Sequence, residues 1–135
     1  MTIALRLKII KIGMKIIKKS DHSNKKVALL MTEVENLDYD DIKQGLAEGR
    51  IIVIDVREAN EFAAGHIPGA RLNALSVFDP AALPVGEGKR IVLSCRSGKR
   101  SLTAAGLAHA TGIAIDAHYA GGMLDWVAQG GPVAH

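Results

Sequence analysis

Apolar and polar positions alternate in blocks along this chain, and from Met31 onward the blocks read as strands and helices taking turns. Ile51-Ile52-Val53-Ile54-Asp55 is a continuous apolar run rich in β-branched residues, the pattern of a strand buried on both faces. Ile91-Val92-Leu93-Ser94 is a second such run, and Ala117 to Ala120 a shorter third. Between them lie helical stretches. Leu37-Asp38-Tyr39-Asp40-Asp41 is acidic, contains cap residues and leads into a helix ending near Gly49. Glu58 to Ala64 is a short helix closed by Gly65, and Leu102 to Ala110 a longer one ending at Gly112, with Ser101 placed to cap its start. A last helix surrounds Trp126. Ala104, Ala105, Gly106 and Ala108 would let the Leu102 helix approach the sheet closely. Ala70 to Ala74 reads as a short strand, and Pro80 to Pro84 with Gly86 and Gly88 as a loop. Helices between buried strands imply a parallel sheet covered on both faces, with ligands beyond the carboxyl ends of its strands.

Charge divides the chain at a different place. Residues 1–30 carry eight Lys/Arg against Asp21 alone, whereas residues 31–135 carry nine against thirteen acids. The overall +3 therefore belongs to an N-terminal extension, residues 1–30, and gives no reason to expect nucleic acid as a partner. On a helical wheel Lys8, Lys11, Lys15 and Lys18 share one face and Ile3, Leu7, Ile10, Met14 and Ile17 another, a pattern that suits contact with an anionic membrane or a targeting segment. The Leu5-Arg6-Leu7-Lys8-Ile9 alternation leaves a strand open as well. An extension without a role, or Met31 as the natural first residue, is the favoured reading. Residues 31–135 are then the folded domain, long enough and at 48% hydrophobic content apolar enough for one core.

With a single cysteine no disulfide can form within the chain, so a reducing, cytoplasmic setting is the simpler expectation. That cysteine is the most suggestive residue present. Cys95 follows the Ile91 strand and opens the loop Cys95-Arg96-Ser97-Gly98-Lys99-Arg100-Ser101, where peptide N–H groups at a helix start can meet three cations. A free thiol with a pKa near 8.5 is only about 3% ionised at neutral pH. A helix N-terminus supplies about 0.3–1 kcal/mol against about 1.4 kcal/mol per pKa unit, so Arg96, Lys99 and Arg100, or the loop amides, must provide the rest. Gly98 permits the positive φ that such a curl requires. A core cysteine would gain nothing from these neighbours.

Three segments in order resemble the rhodanese-type sulfurtransferases: Asp55-Val56-Arg57-Glu58 with Glu61-Phe62 and Gly65-His66-Ile67-Pro68-Gly69-Ala70; the Cys95 to Ser101 loop; and Tyr119-Ala120-Gly121-Gly122-Met123-Leu124-Asp125-Trp126 with Gly130-Gly131-Pro132-Val133. The resemblance spans about residues 35 to 134. It implies a three-layer α/β fold with a central, mainly parallel sheet and helices on both faces. It also implies that Cys95 carries sulfane sulfur as a persulfide from a small anionic donor such as thiosulfate to a thiol or cyanide acceptor. Arg96, Ser97, Gly98, Lys99, Arg100 and Ser101 map to the substrate-binding cradle. No metal or cofactor is implied.

Two alternatives compete with that reading. A persulfide carrier or interaction module would exchange sulfur with a protein donor or acceptor. A cysteine phosphatase would need five residues between Cys and the phosphate-binding Arg, whereas four separate Cys95 from Arg100. The remaining motif residues are expected to be structural. Asp55 and Arg57 would pair at the strand exit, His66 would hydrogen-bond within a turn, and Trp126 would pack in the core. His22, His109, His118 and His135 show no metal-ligand spacing, and Gly121-Gly122 lacks the context of a nucleotide-binding fingerprint.

Overall fold

The computed structural model describes residues 34–135; the N-terminal extension, read above as either a strand or an amphipathic helix, lies outside the described residues. Among the described residues five strands form one sheet: β1 (Glu35–Leu37), β2 (Ile51–Asp55), β3 (Arg71–Leu72), β4 (Arg90–Ser94) and β5 (Ala117–Tyr119). Their order is β1-β5-β4-β2-β3. Every pairing is parallel, with β2 and β4 at the centre in register from Ile51 opposite Arg90 to Asp55 opposite Ser94. All carboxyl ends thus point the same way.

The helices are α1 (Tyr39–Ala47), α2 (Ala59–Ala64), α3 (Lys99–Ala110) and α4 (Gly122–Ala128), with 3₁₀ turns at Leu75–Val77 and Pro80–Ala82. Alternation along β2 and β4 builds a core on each side. Ile52, Ile54, Ile91 and Leu93 pack with Ala104, Ala105 and Ala108 of α3, while Ile51, Val53 and Val92 pack with Ile42 of α1, Tyr119 and Trp126. Ala104, Ala105 and Ala108 are at most 1% exposed, so the small side chains do bring α3 onto the sheet. Gly106 does not share that role; it is exposed, and a Cβ there would meet nothing.

Some boundaries differ from expectation for physical reasons. The α3 helix begins at Lys99 rather than after Ser101, because Gly98 at φ 96 turns the chain directly into helix. Ser101 therefore lies inside the first turn instead of capping it. The β1 strand is not legible in the sequence pattern, where only its last residue, Leu37, opens the approach to α1, since three residues are too few to show a period. The Ala70 to Ala74 strand shrinks to two residues. At the start of α1 the expected cap is a capping box, with the Asp41 N–H donating to Asp38 Oδ1 and the Asp38 N–H to Asp41 Oδ2, each at 2.9 Å.

Candidate active site

The central strands β2 and β4 end side by side, and what leaves them forms the site. From β2 the chain exits through Asp55 and Arg57, both buried. The Arg57 N–H and Nε donate to Asp55 Oδ1 at 3.0 Å, Nη2 donates to Oδ2 at 2.7 Å, and Nη2 also reaches the Gly65 carbonyl at 2.7 Å. The expected pair exists, and it ties the strand exit to the end of α2. His66 likewise does turn work, its Nδ1 2.8 Å from the Phe62 carbonyl oxygen.

From β4 the chain delivers Cys95, whose residue surface is 1% exposed. The thiol lies at the edge of the core cluster beneath α3, yet the loop's amides point at it. The Gly98 N–H donates to Sγ at 3.1 Å and the Ser101 N–H at 3.4 Å, while Ser101 Oγ lies 3.6 Å away. Burial pushes the thiol pKa up. Hydrogen bonding with the Ser101 side chain and from the N–H groups of Ser101, Ser97 and Gly98 more than reverses this, and the net direction is down.

The loop has this shape because two glycines allow close approaches. A Cβ on Gly98 would lie 2.3 Å from the Ala120 carbonyl oxygen. A Cβ on Gly122, at φ 64, would lie 2.5 Å from the carbonyl oxygens of both Cys95 and Arg96. Those two carbonyls accept from the first amides of α4, Met123 N–H at 2.8 Å and Leu124 N–H at 3.1 Å. The Gly121-Gly122 pair is thus a clamp that lets α4 hold the loop's outer peptide groups while the inner ones face sulfur. Sequence reasoning noted the pair but found no role for it.

The cations are placed differently from the sequence expectation of a ring around the thiol. Arg100 is engaged with Glu61 of α2 through Nη1–Oε1 at 2.8 Å and Nη2–Oε2 at 3.1 Å. This pair holds the Glu61 carboxyl down at about 2 and raises the guanidinium's own pKa; the sulfur contributes to the latter only through its more distant charge. Arg96 and Lys99 are exposed. Arg96 lines an open groove of about 450 Å³ whose other walls include Arg57, Met123, Leu124, Val127 and Val133. The seven loop residues are therefore brought together, with backbone amides and the Ser101 side chain against the sulfur and Arg96 and Lys99 exposed. Peptide dipoles prevail because a loop this short turns successive N–H groups inward, leaving its long side chains to point out.

Behind Ser101 lies a contact that the sequence did not reveal. Its Oγ is 2.8 Å from Nδ1 of His118 on β5, and Nε2 of that ring is 2.7 Å from Oδ1 of Asn36 on β1. Asn36 and His118 are register partners on adjacent strands, a pairing legible only once the sheet order is known.

A buried thiol at the carboxyl end of a central parallel strand, with loop amides donating to its sulfur, defines an α/β class with a candidate sulfur site. Comparison with known proteins narrows the class. Residues 38–129 match the family model for the rhodanese-like domain, and the chain belongs to that family of sulfurtransferases. It is 35% identical over 101 residues to human thiosulfate:glutathione sulfurtransferase, covering 64% of this chain and 88% of that protein. A Synechocystis protein of uncharacterised function is 37% identical over 91 residues, covering 67% of this chain; the chain spans about half (51%) of that relative's length. Among solved structures, the human single-domain sulfurtransferase TSTD1 superposes with a TM-score of 0.57 at 32% identity, covering 70% of this chain and 96% of that one. The expected three-layer fold is present, and its sheet is parallel throughout.

Proposed function

We propose that this chain transfers sulfane sulfur through a persulfide on Cys95, with thiosulfate or a related anionic persulfide as donor. The observation that carries the reading is the pair of amide hydrogen bonds to Sγ, from Gly98 at 3.1 Å and Ser101 at 3.4 Å. They favour the thiolate over the thiol, and a thiolate is the nucleophile.

The chemistry takes two displacements. The Cys95 thiolate attacks the outer sulfur of thiosulfate; the new S–S bond forms as the old one breaks, and sulfite leaves with the electron pair. An acceptor thiolate then attacks the outer sulfur of the enzyme persulfide, forming its own persulfide and returning the Cys95 thiolate. Cyanide in the same role leaves as thiocyanate. Cys95 Sγ carries the negative charge before the first displacement and after the second, and the amides already aimed at it stabilise that charge without reorganisation. Arg96 and Lys99, exposed at the loop, attract the anionic donor, and the groove beside Arg96 receives the acceptor. The names of the relatives support a thiol such as glutathione in that place. A free thiolate of this kind suits a reducing, cytoplasmic setting.

Mass spectrometry of the intact protein after exposure to thiosulfate tests the reading. The wild type should gain one sulfur, Cys95→Ser should gain none, and cyanide should remove it. Failure of thiosulfate to load Cys95, with loading only from a partner desulfurase, would make the protein a carrier rather than a thiosulfate enzyme. Hydrolysis of a phosphate monoester without sulfur uptake would point to the phosphatase alternative, which the four-residue spacing disfavours.

A further inference from the structure

His118 is a buried ring that the transfer steps above do not use, 2% exposed, with both nitrogens in short contacts. Burial lowers its pKa, so it is neutral and carries a single N–H. One ring proton must then serve two partners, and the side that has it decides what Ser101 does.

Ser101 Oγ has three neighbours in reach: His118 Nδ1 at 2.8 Å, the Gly98 carbonyl at 3.2 Å and Cys95 Sγ at 3.6 Å. Its hydroxyl carries one proton. With the Asn36 Oδ1 facing the ring, Nε2 bears the proton, Nδ1 is a bare acceptor, and the Ser101 hydroxyl donates to it. Sulfur then meets only the lone pairs of Oγ. A thiol satisfies that arrangement by donating its S–H to Oγ; a thiolate does not. When the ring proton sits on Nδ1 instead, His118 donates to Oγ and the Ser101 hydroxyl is free for the sulfur anion or the Gly98 carbonyl. Nε2 must then accept, which Asn36 permits by turning its amide end for end to present NH₂.

We infer that Asn36, His118 and Ser101 form a hydrogen-bond relay that reverses direction when Cys95 ionises, making His118 a positioning residue that turns the Ser101 hydroxyl toward the sulfur. The protons balance. The thiol register holds them on Sγ, Oγ and Nε2, and the thiolate register on Oγ and Nδ1. The one that departs leaves from Nε2, beside the exposed Asn36. The ring stays neutral throughout. Among the described residues no ionisable side chain sets its state, since burial is the cause of its shift, and the charged group that feels the sulfur is Arg100, already paired with Glu61. The second nitrogen's partner decides the tautomer, as a second contact does for any bound imidazole. The inference rests on Cys95 as the sulfur carrier for its purpose, but not for its test.

Nitrogen-15 NMR of the His118 ring in the full chain, on either side of the thiol titration followed by thiolate ultraviolet absorbance, reads the tautomer directly. With a single cysteine the absorbance change belongs to Cys95 alone. The proton should move from Nε2 to Nδ1 as the thiol ionises; an unchanged tautomer overturns the relay. Variants give a second readout. His118→Phe should lower the thiolate fraction below the titration midpoint about threefold to tenfold, the range expected for one hydrogen bond of ordinary net strength. Adding Ser101→Ala to it should cost no more than Ser101→Ala alone, and His118→Gln, which can still donate to Oγ, should recover part of the loss. Independent, additive shifts overturn the coupling. A tautomer that switches in a protein no sulfur donor can load keeps the relay and sinks the transferase. A fixed tautomer in a protein that loads does the reverse.

Discussion

Replacing Gly122 with alanine should damage the sulfur site from outside it. The residue holds φ 64, a left-handed conformation that costs a side-chain-bearing residue about 1–2 kcal/mol. The new Cβ would also lie 2.5 Å from the carbonyl oxygens of Cys95 and Arg96 and 2.6 Å from the Arg96 carbonyl carbon. Carbon–oxygen contacts settle at about 3.3–3.6 Å, so the loop must retreat by close to an ångström. The amides of Met123 and Leu124, now 2.8 and 3.1 Å from those oxygens, lose part or all of their bonds, each worth about 0.5–1.5 kcal/mol. We expect a total loss of about 2–5 kcal/mol in urea unfolding, together with a raised thiol pKa as the loop's inner amides turn off sulfur. Gly49→Ala is the control: φ is 67 and nothing lies within 4 Å of the added Cβ, so it carries the backbone strain without the clash. Equal losses in the two variants, with thiolate absorbance titrating alike, would refute the idea that α4 shapes the thiol loop.

Three further outcomes follow from the same contacts. Arg57→Leu should destabilise by about 3–5 kcal/mol, because it strands the buried Asp55 carboxylate; Arg57→Lys should recover only part, since an ammonium cannot bond both oxygens in one plane, and a near-neutral Leu variant in thermal unfolding would contradict the pairing. Glu61, held down at about 2 by the Arg100 guanidinium against the opposing cost of burial, contributes stability that is complete above its unfolded value of 4.5 and fades as pH falls toward 2. Glu61→Gln should therefore lack that part of the acid sensitivity, under about 1 kcal/mol for a pair this open to solvent, and parallel stability profiles for the two proteins would exclude the effect. Arg96→Ala and Lys99→Ala should weaken thiosulfate use about threefold to tenfold at low salt, mainly through KM, with the deficit shrinking as salt screens the donor; kinetics that ignore both substitutions would remove the cations from donor capture.

Local chemistry made much of this protein legible as a string of residues. Runs such as Ile51–Asp55 and Ile91-Val92-Leu93-Ser94 have the apolar, β-branched pattern of strands buried on both faces, and the small side chains of Ala104, Ala105 and Ala108 announce a helix seated close to them. A cysteine opening a basic, glycine-bearing loop singles out the candidate sulfur by itself, and Gly98 marks where that loop must turn. These are properties of neighbours in the chain. The partners that complete the site are distant in sequence: Glu61 takes up Arg100, Gly122 underlies the Cys95 and Arg96 carbonyls, and Asn36 meets His118 across 82 residues. Strand order and helix placement bring these together, and no residue type advertises them beforehand. That is also why the sequence leaves open whether side-chain cations or loop amides face the sulfur. Side-chain charge can be counted along a chain, whereas the direction of a peptide N–H exists only after the backbone has closed around the sulfur.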